Sequence, residues 1–108
     1  MKKYTFLLAV VVAAALSSCQ SGTDEWVELF NGKDLTGWKA NENPESFSVK
    51  DGLLVCSGGP GHLFYETSQP FRNFELLAEV KTAPMANSGI FFHTAFQEEG
   101  WLKKGYEV

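Results

Sequence analysis

Two side chains late in the sequence could exchange protons with a ligand. His93 follows Ile90-Phe91-Phe92, and Glu107 stands in Gly105-Tyr106-Glu107-Val108. Both segments alternate with the two-residue period of a strand, in which every second side chain shares a face. If residues 90–96 and 105–108 pair antiparallel, Ile90, Phe92, Tyr106 and Val108 turn to a core. Phe91, His93 and Glu107 then share the opposite face. A carboxylate and an imidazole there would form a general acid/base pair beside an aromatic wall. A Glu/His face could also take a divalent metal ion, although no metal-ligand spacing is present and no organic cofactor is required. The same pattern also fits a solvated outer face on which neither residue acts.

Asn87-Ser88-Gly89 leads into the first of these segments. The Asn amide both donates and accepts hydrogen bonds, and Gly permits close backbone approach. An Asx turn before a strand explains the triplet as well. Trp101 lies in a loop among Glu98, Glu99, Lys103 and Lys104; its indole could stack on a ligand or fold back on the core. Cys56 ends the apolar run Leu53-Leu54-Val55 and reads as a small hydrophobe. Only His62 offers it a base, and His62 itself reads as a surface residue at a strand edge. Glu66, Glu75 and Glu79 read as solvated strand faces. There is no Gly-rich phosphate loop and no Ser-His-Asp signature. With 9 Lys+Arg against 13 Asp+Glu, the net charge is −4. No basic run follows the first three residues, so a nucleic-acid partner held by phosphate contacts is not expected.

These side chains need β elements to hold them. The 108 residues allow one domain, and 44% hydrophobic content is that of a globular chain. No stretch after residue 25 keeps a helical period over three turns, whereas short alternating runs recur between Gly, Pro, Asn and Asp. Strands are expected at 26–30, 47–50, 53–56, 62–66, 74–82, 89–96 and from 105 onward. The Asp51-Gly52 pair between the second and third suits a type I′ turn, which needs positive φ at both centres. Residues 31–38 read as a turn-rich loop closed by Trp38. The sequence stops within strand-like Tyr106-Glu107-Val108, and a chain ending there reads as the first half of a larger β-sandwich.

The opening residues read as an address. Lys2 and Lys3 precede an apolar run over 6–16, too short to span a bilayer and suited to a secretory signal. Leu16-Ser17-Ser18-Cys19 resembles the lipobox of bacterial lipoproteins. That resemblance implies a signal peptide over 1–18, diacylglycerol on Cys19, and a polar tether over 19–25. The mature chain would carry a charge of about −6 and would be held to the membrane by its acyl chains rather than by basic residues. Gln20 after the Cys points to the outer membrane of the cell envelope. With Cys19 lipidated, Cys56 is left without a disulfide partner.

Residues 26–108 carry a more specific likeness. Glu28-Leu29-Phe30-Asn31-Gly32-Lys33-Asp34-Leu35-Thr36-Gly37-Trp38 resembles the opening motif of the 3-keto-disaccharide hydrolase family. Phe47-x-Val49-x-Asp51-Gly52-x-Leu54 looks like its early hairpin, and Phe71-Arg72-Asn73-Phe74-Glu75-Leu76 like a later strand. Asn87-Ser88-Gly89-Ile90-Phe91-Phe92 and Gly105-Tyr106-Glu107-Val108 follow in order. The resemblance implies an all-β, concanavalin-like jelly-roll sandwich whose concave face holds a sugar. It implies hydrolysis of 3-keto glycosides, with oligosaccharide or glycoside substrates. It places Glu107 in the catalytic site; Asn87, Ser88, Gly89, Phe91 and Trp101 remain the substrate-contact candidates that the residue readings above give. His93 stands where the family usually has Arg, so its part as the second catalytic group rests on the face argument. A ketone at C3 acidifies the C2 proton. A base can then remove it, the C1 oxygen leaves, and water adds back. Two other readings fit the same residues: a lipid-anchored carbohydrate-binding module without chemistry, and a non-functional remnant.

Overall fold

The computed structural model describes residues 25–108. The signal peptide, Cys19 and all of the tether but Glu25 lie outside the described residues. Among those described, the chain is all-β apart from one short 3-10 turn, Pro44–Ser46. Six strands form three antiparallel ladders of two strands each, small units of the kind a β-sandwich is built from. They are β1 (Trp38–Ala40) with β4 (Leu63–Tyr65), β2 (Phe47–Lys50) with β3 (Leu53–Cys56), and β5 (Phe91–Phe92) with β6 (Tyr106–Glu107).

Hydrogen bonds within a few residues build the segment before β1. Asn31 Oδ1 accepts the backbone N–H groups of Lys33 and Asp34 at 2.8 and 3.0 Å. Asp34 Oδ1 accepts Asn31 Nδ2–H at 2.7 Å and the Thr36 N–H at 2.9 Å. Those donors favour the ionised carboxylate and hold its pKa down at about 2. The Trp38 indole N–H then donates to the Leu29 carbonyl at 2.8 Å. The expected strand over 26–30 does not form; the Leu29 carbonyl there serves an indole rather than a ladder. Trp38 itself begins β1, which the sequence does not announce because its partner β4 lies 25 residues on (Trp38↔Tyr65 to Ala40↔Leu63).

The β2–β3 hairpin forms where its sequence places it, in register from Phe47↔Cys56 to Lys50↔Leu53. Its turn residues, Asp51 (φ 51°) and Gly52 (φ 76°), both adopt the left-handed conformation a type I′ turn requires. Two other expected strands are corrected. Residues 74–82 alternate but pair with no strand among the described residues, and Leu77 and Val80 are exposed. Alternation supplies two faces, but a strand also needs a partner for its backbone groups. Residues 89–96 shorten to β5 because His93 takes a left-handed φ of 54° and bends the chain out of the ladder.

Aromatic side chains join the ladders in two rows. On one side, Trp38, Tyr65, Phe71, Phe74, Phe92 and Tyr106 meet in sequence at centroid distances of 5.3 to 6.4 Å. On the other, Phe96 meets Phe64 edge-on at 5.0 Å, and His62 continues the row to Phe91 and Trp101. Phe64, 9% exposed, is the buried hydrophobic residue of the described chain, and Lys39 Nζ sits 4.1 Å over the Phe96 ring.

Candidate active site

Paired backbone bonds between Ile90 and Val108 (2.8 and 3.0 Å) define the β5–β6 register. Phe91 therefore faces Glu107 across a pair without hydrogen bonds of its own, the arrangement in which opposing side chains lie closest. The Glu107 side chain reaches back across β5 and rests on Gly89. A Cβ at position 89 would stand 2.8 Å from Glu107 Cγ and 3.0 Å from Cδ, and would overlap Oε1. Gly89 thus makes room for the carboxylate.

The structure brings Trp101 to His62, which itself meets Phe91. The Gln97 side-chain amide organises the loop between β5 and β6. Its Nε2 donates to the carbonyls of Glu99 (2.9 Å) and Trp101 (2.8 Å), and its Oε1 accepts the Lys103 N–H (3.0 Å). Glu42, just after β1, accepts the Gly100 N–H at 2.8 Å. Trp101, 71% exposed, is thereby set edge-on to His62 at 5.7 Å, while His62 meets Phe91 edge-on at 5.5 Å. His62 is the residue that sequence reasoning missed. It sits in a short apolar run after Gly61, and only the crossing of β4 with the later loop reveals its neighbours.

His93 goes elsewhere. Its left-handed backbone turns the ring toward Phe74 and Phe92, each 5.6 Å away. There it lines an open cavity of about 720 Å³ with Arg72, Asn73, Phe74, Phe92 and Val108. The expectation that His93 and Glu107 share a face is corrected on this ground: strand alternation ends one residue too early. Ser88 lines a second hollow beside Ile90 and Val108, and Asn87 is exposed on the approach to Gly89. Burial pushes the Cys56 thiol up, the opposite of what a nucleophile needs. Among the described residues, no three of His, Cys, Asp and Glu gather as a metal-binding group. No helix among them is long and apolar enough to cross a membrane.

Residues 25–108 match the family model of the 3-keto-alpha-glucoside-1,2-lyase-like domain. The chain belongs to this family. The lyase-like domain is also similar to a 3-keto-disaccharide hydrolase of Bacteroides thetaiotaomicron, 29% identical over 92 residues. That match takes in 74% of this chain but 32% of the relative, so the lyase-like chain spans about a third of the relative's length. No solved structure matches.

Proposed function

We propose that this lyase-like domain acts on glycosides whose sugar carries a ketone at C3. The observation that carries the reading is the Glu107 carboxylate, held against Gly89 beside Phe91 in a chain that matches the family over residues 25–108. The ketone makes the C2 proton acidic. Glu107 takes that proton, the C1–O bond breaks as C1=C2 forms, and the glycosidic oxygen departs. Water then adds at C1, and C2 regains its proton, giving net hydrolysis. Phe91 and Trp101 offer apolar surfaces to the sugar ring, and Asn87 at the loop edge offers an amide to a hydroxyl. In the same reading Cys19 carries the lipid that tethers the mature protein to the cell envelope, at the outer membrane.

The test is turnover of a panel of 3-keto-glucosides by the full chain and by Glu107→Gln. Wild-type release of free sugar, with kcat reduced by about 10²–10⁴ in the variant, is the expected result. No turnover of any 3-keto glycoside by the wild type would overturn it. The exposed Trp101 beside His62 also favours a second reading, a glycan-binding module without chemistry. That reading requires binding that is indifferent to oxidation at C3.

A further inference from the structure

We propose that His62, not His93, is the proton donor that works with Glu107 across Phe91; the assignment rests on the 3-keto glycoside reading above. Phe91 lies between the two groups: Glu107 is its cross-strand partner, and the His62 ring stands edge-on to it at 5.5 Å. His62 is fixed from behind. Its N–H donates to Asn41 Oδ1 at 2.8 Å, and its carbonyl accepts the Asn41 N–H at 3.1 Å. Asn41 Oδ1 also takes the Glu42 N–H at 2.8 Å, so its orientation is set by two donors. Glu42 in turn holds Gly100, which places Trp101 against the far edge of the imidazole. The imidazole is therefore walled by Phe91 and Trp101 and anchored at the junction of β1 and β4.

Its two nitrogens differ. Nδ1 is buried without a partner, which leaves Nε2 as the atom that can meet a ligand. An imidazole there completes the elimination. Glu107 takes the C2 proton, the C–H pair becomes C1=C2, and the C1–O pair leaves with the glycosidic oxygen, which takes a proton from His62 Nε2. In the return step His62 Nε2 takes a proton from water as hydroxide adds at C1, and Glu107 gives its proton back to C2. Both groups end as they began, and one water has been consumed.

The experiment compares an alkyl 3-keto-glucoside with a 4-nitrophenyl 3-keto-glucoside, using the full chain as wild type, His62→Phe and His62→Gln. Phenylalanine keeps an aromatic ring between Phe91 and Trp101; glutamine serves if the phenylalanine variant does not melt cooperatively. The nitrophenolate leaves without protonation, whereas an alkoxide does not. A loss of kcat/KM of ~10² or more on the alkyl glycoside, with less than ~10-fold on the nitrophenyl glycoside, is expected of a missing acid. Equal losses on both substrates, or no loss on either, would overturn the assignment while leaving the 3-keto reading standing. A wild type inactive on both overturns the 3-keto reading and this inference with it.

Discussion

At the scale of single residues, Gly89 separates structure from chemistry. A methyl group there meets the Glu107 side chain from Cγ to Oε1, which can swing aside. Folding should tolerate the change, since alanine costs a strand less backbone entropy than glycine. On the proposed 3-keto glycoside chemistry, catalysis should not, because the carboxylate is displaced, and misplacement by about 1 Å costs on the order of 10²-fold in rate. Gly89→Ala should keep its melting temperature within a few degrees and lose kcat by about that factor. A collapse of both, or of neither, would show that Gly89 does not set the carboxylate's position. Asp34 gives a second residue-scale test. Its folded pKa of about 2 lies below the ordinary carboxylate value, so its contribution is complete above about pH 4 and fades as pH falls toward 2. The melting temperature of wild type relative to Asp34→Asn should therefore decline over that interval. A pH-independent difference between the two would mean that the charge on Asp34 contributes nothing beyond its hydrogen bonds.

At the scale of elements, the loop between β5 and β6 matters because it carries Trp101. One amide, Gln97, ties together the carbonyls of Glu99 and Trp101 and the Lys103 N–H. Gln97→Ala leaves Glu107, Gly89 and Phe91 in place and frees the indole. Substrate binding should weaken while the proton chemistry persists, so KM should rise several-fold with kcat changed less than about twofold. A fall in kcat alone would place the loop in the chemical step instead. What the sequence makes legible follows the reach of each interaction. The β2–β3 hairpin is legible because Asp51-Gly52 and its flanking alternation lie within ten residues. The ladder of β5 with β6 is legible from matched alternation, and with it the opposition of Phe91 and Glu107. The pairing of β1 with β4 is not, since neither strand's alternation names a partner so distant. The same gap hides His62, whose ring contacts come from Phe91 and Trp101, 29 and 39 residues further on. His93 fails for a different reason: one left-handed residue reverses the face of everything that a two-residue period assigns beyond Phe92.

At the scale of the whole molecule, burial is the governing quantity. Among the described residues Phe64 and Ser46 are the buried ones, while Leu77, Val80, Met85, Trp101, Tyr106 and Val108 are each at least 66% exposed. The aromatic rows hold neighbours edge to edge, but they do not remove much apolar surface from water. Two consequences follow from the physics of apolar hydration. The heat capacity increment of unfolding scales with apolar area newly exposed, about 12–15 cal/mol/K per residue in ordinary globular domains, and this chain has little left to expose. Exposed apolar clusters also bind hydrophobic dyes and each other. Calorimetry of the chain in solution should give an increment well below the ordinary per-residue value, and 8-anilinonaphthalene-1-sulfonate should fluoresce strongly in its presence under native conditions. An increment of ordinary size without dye binding would require these residues to be covered.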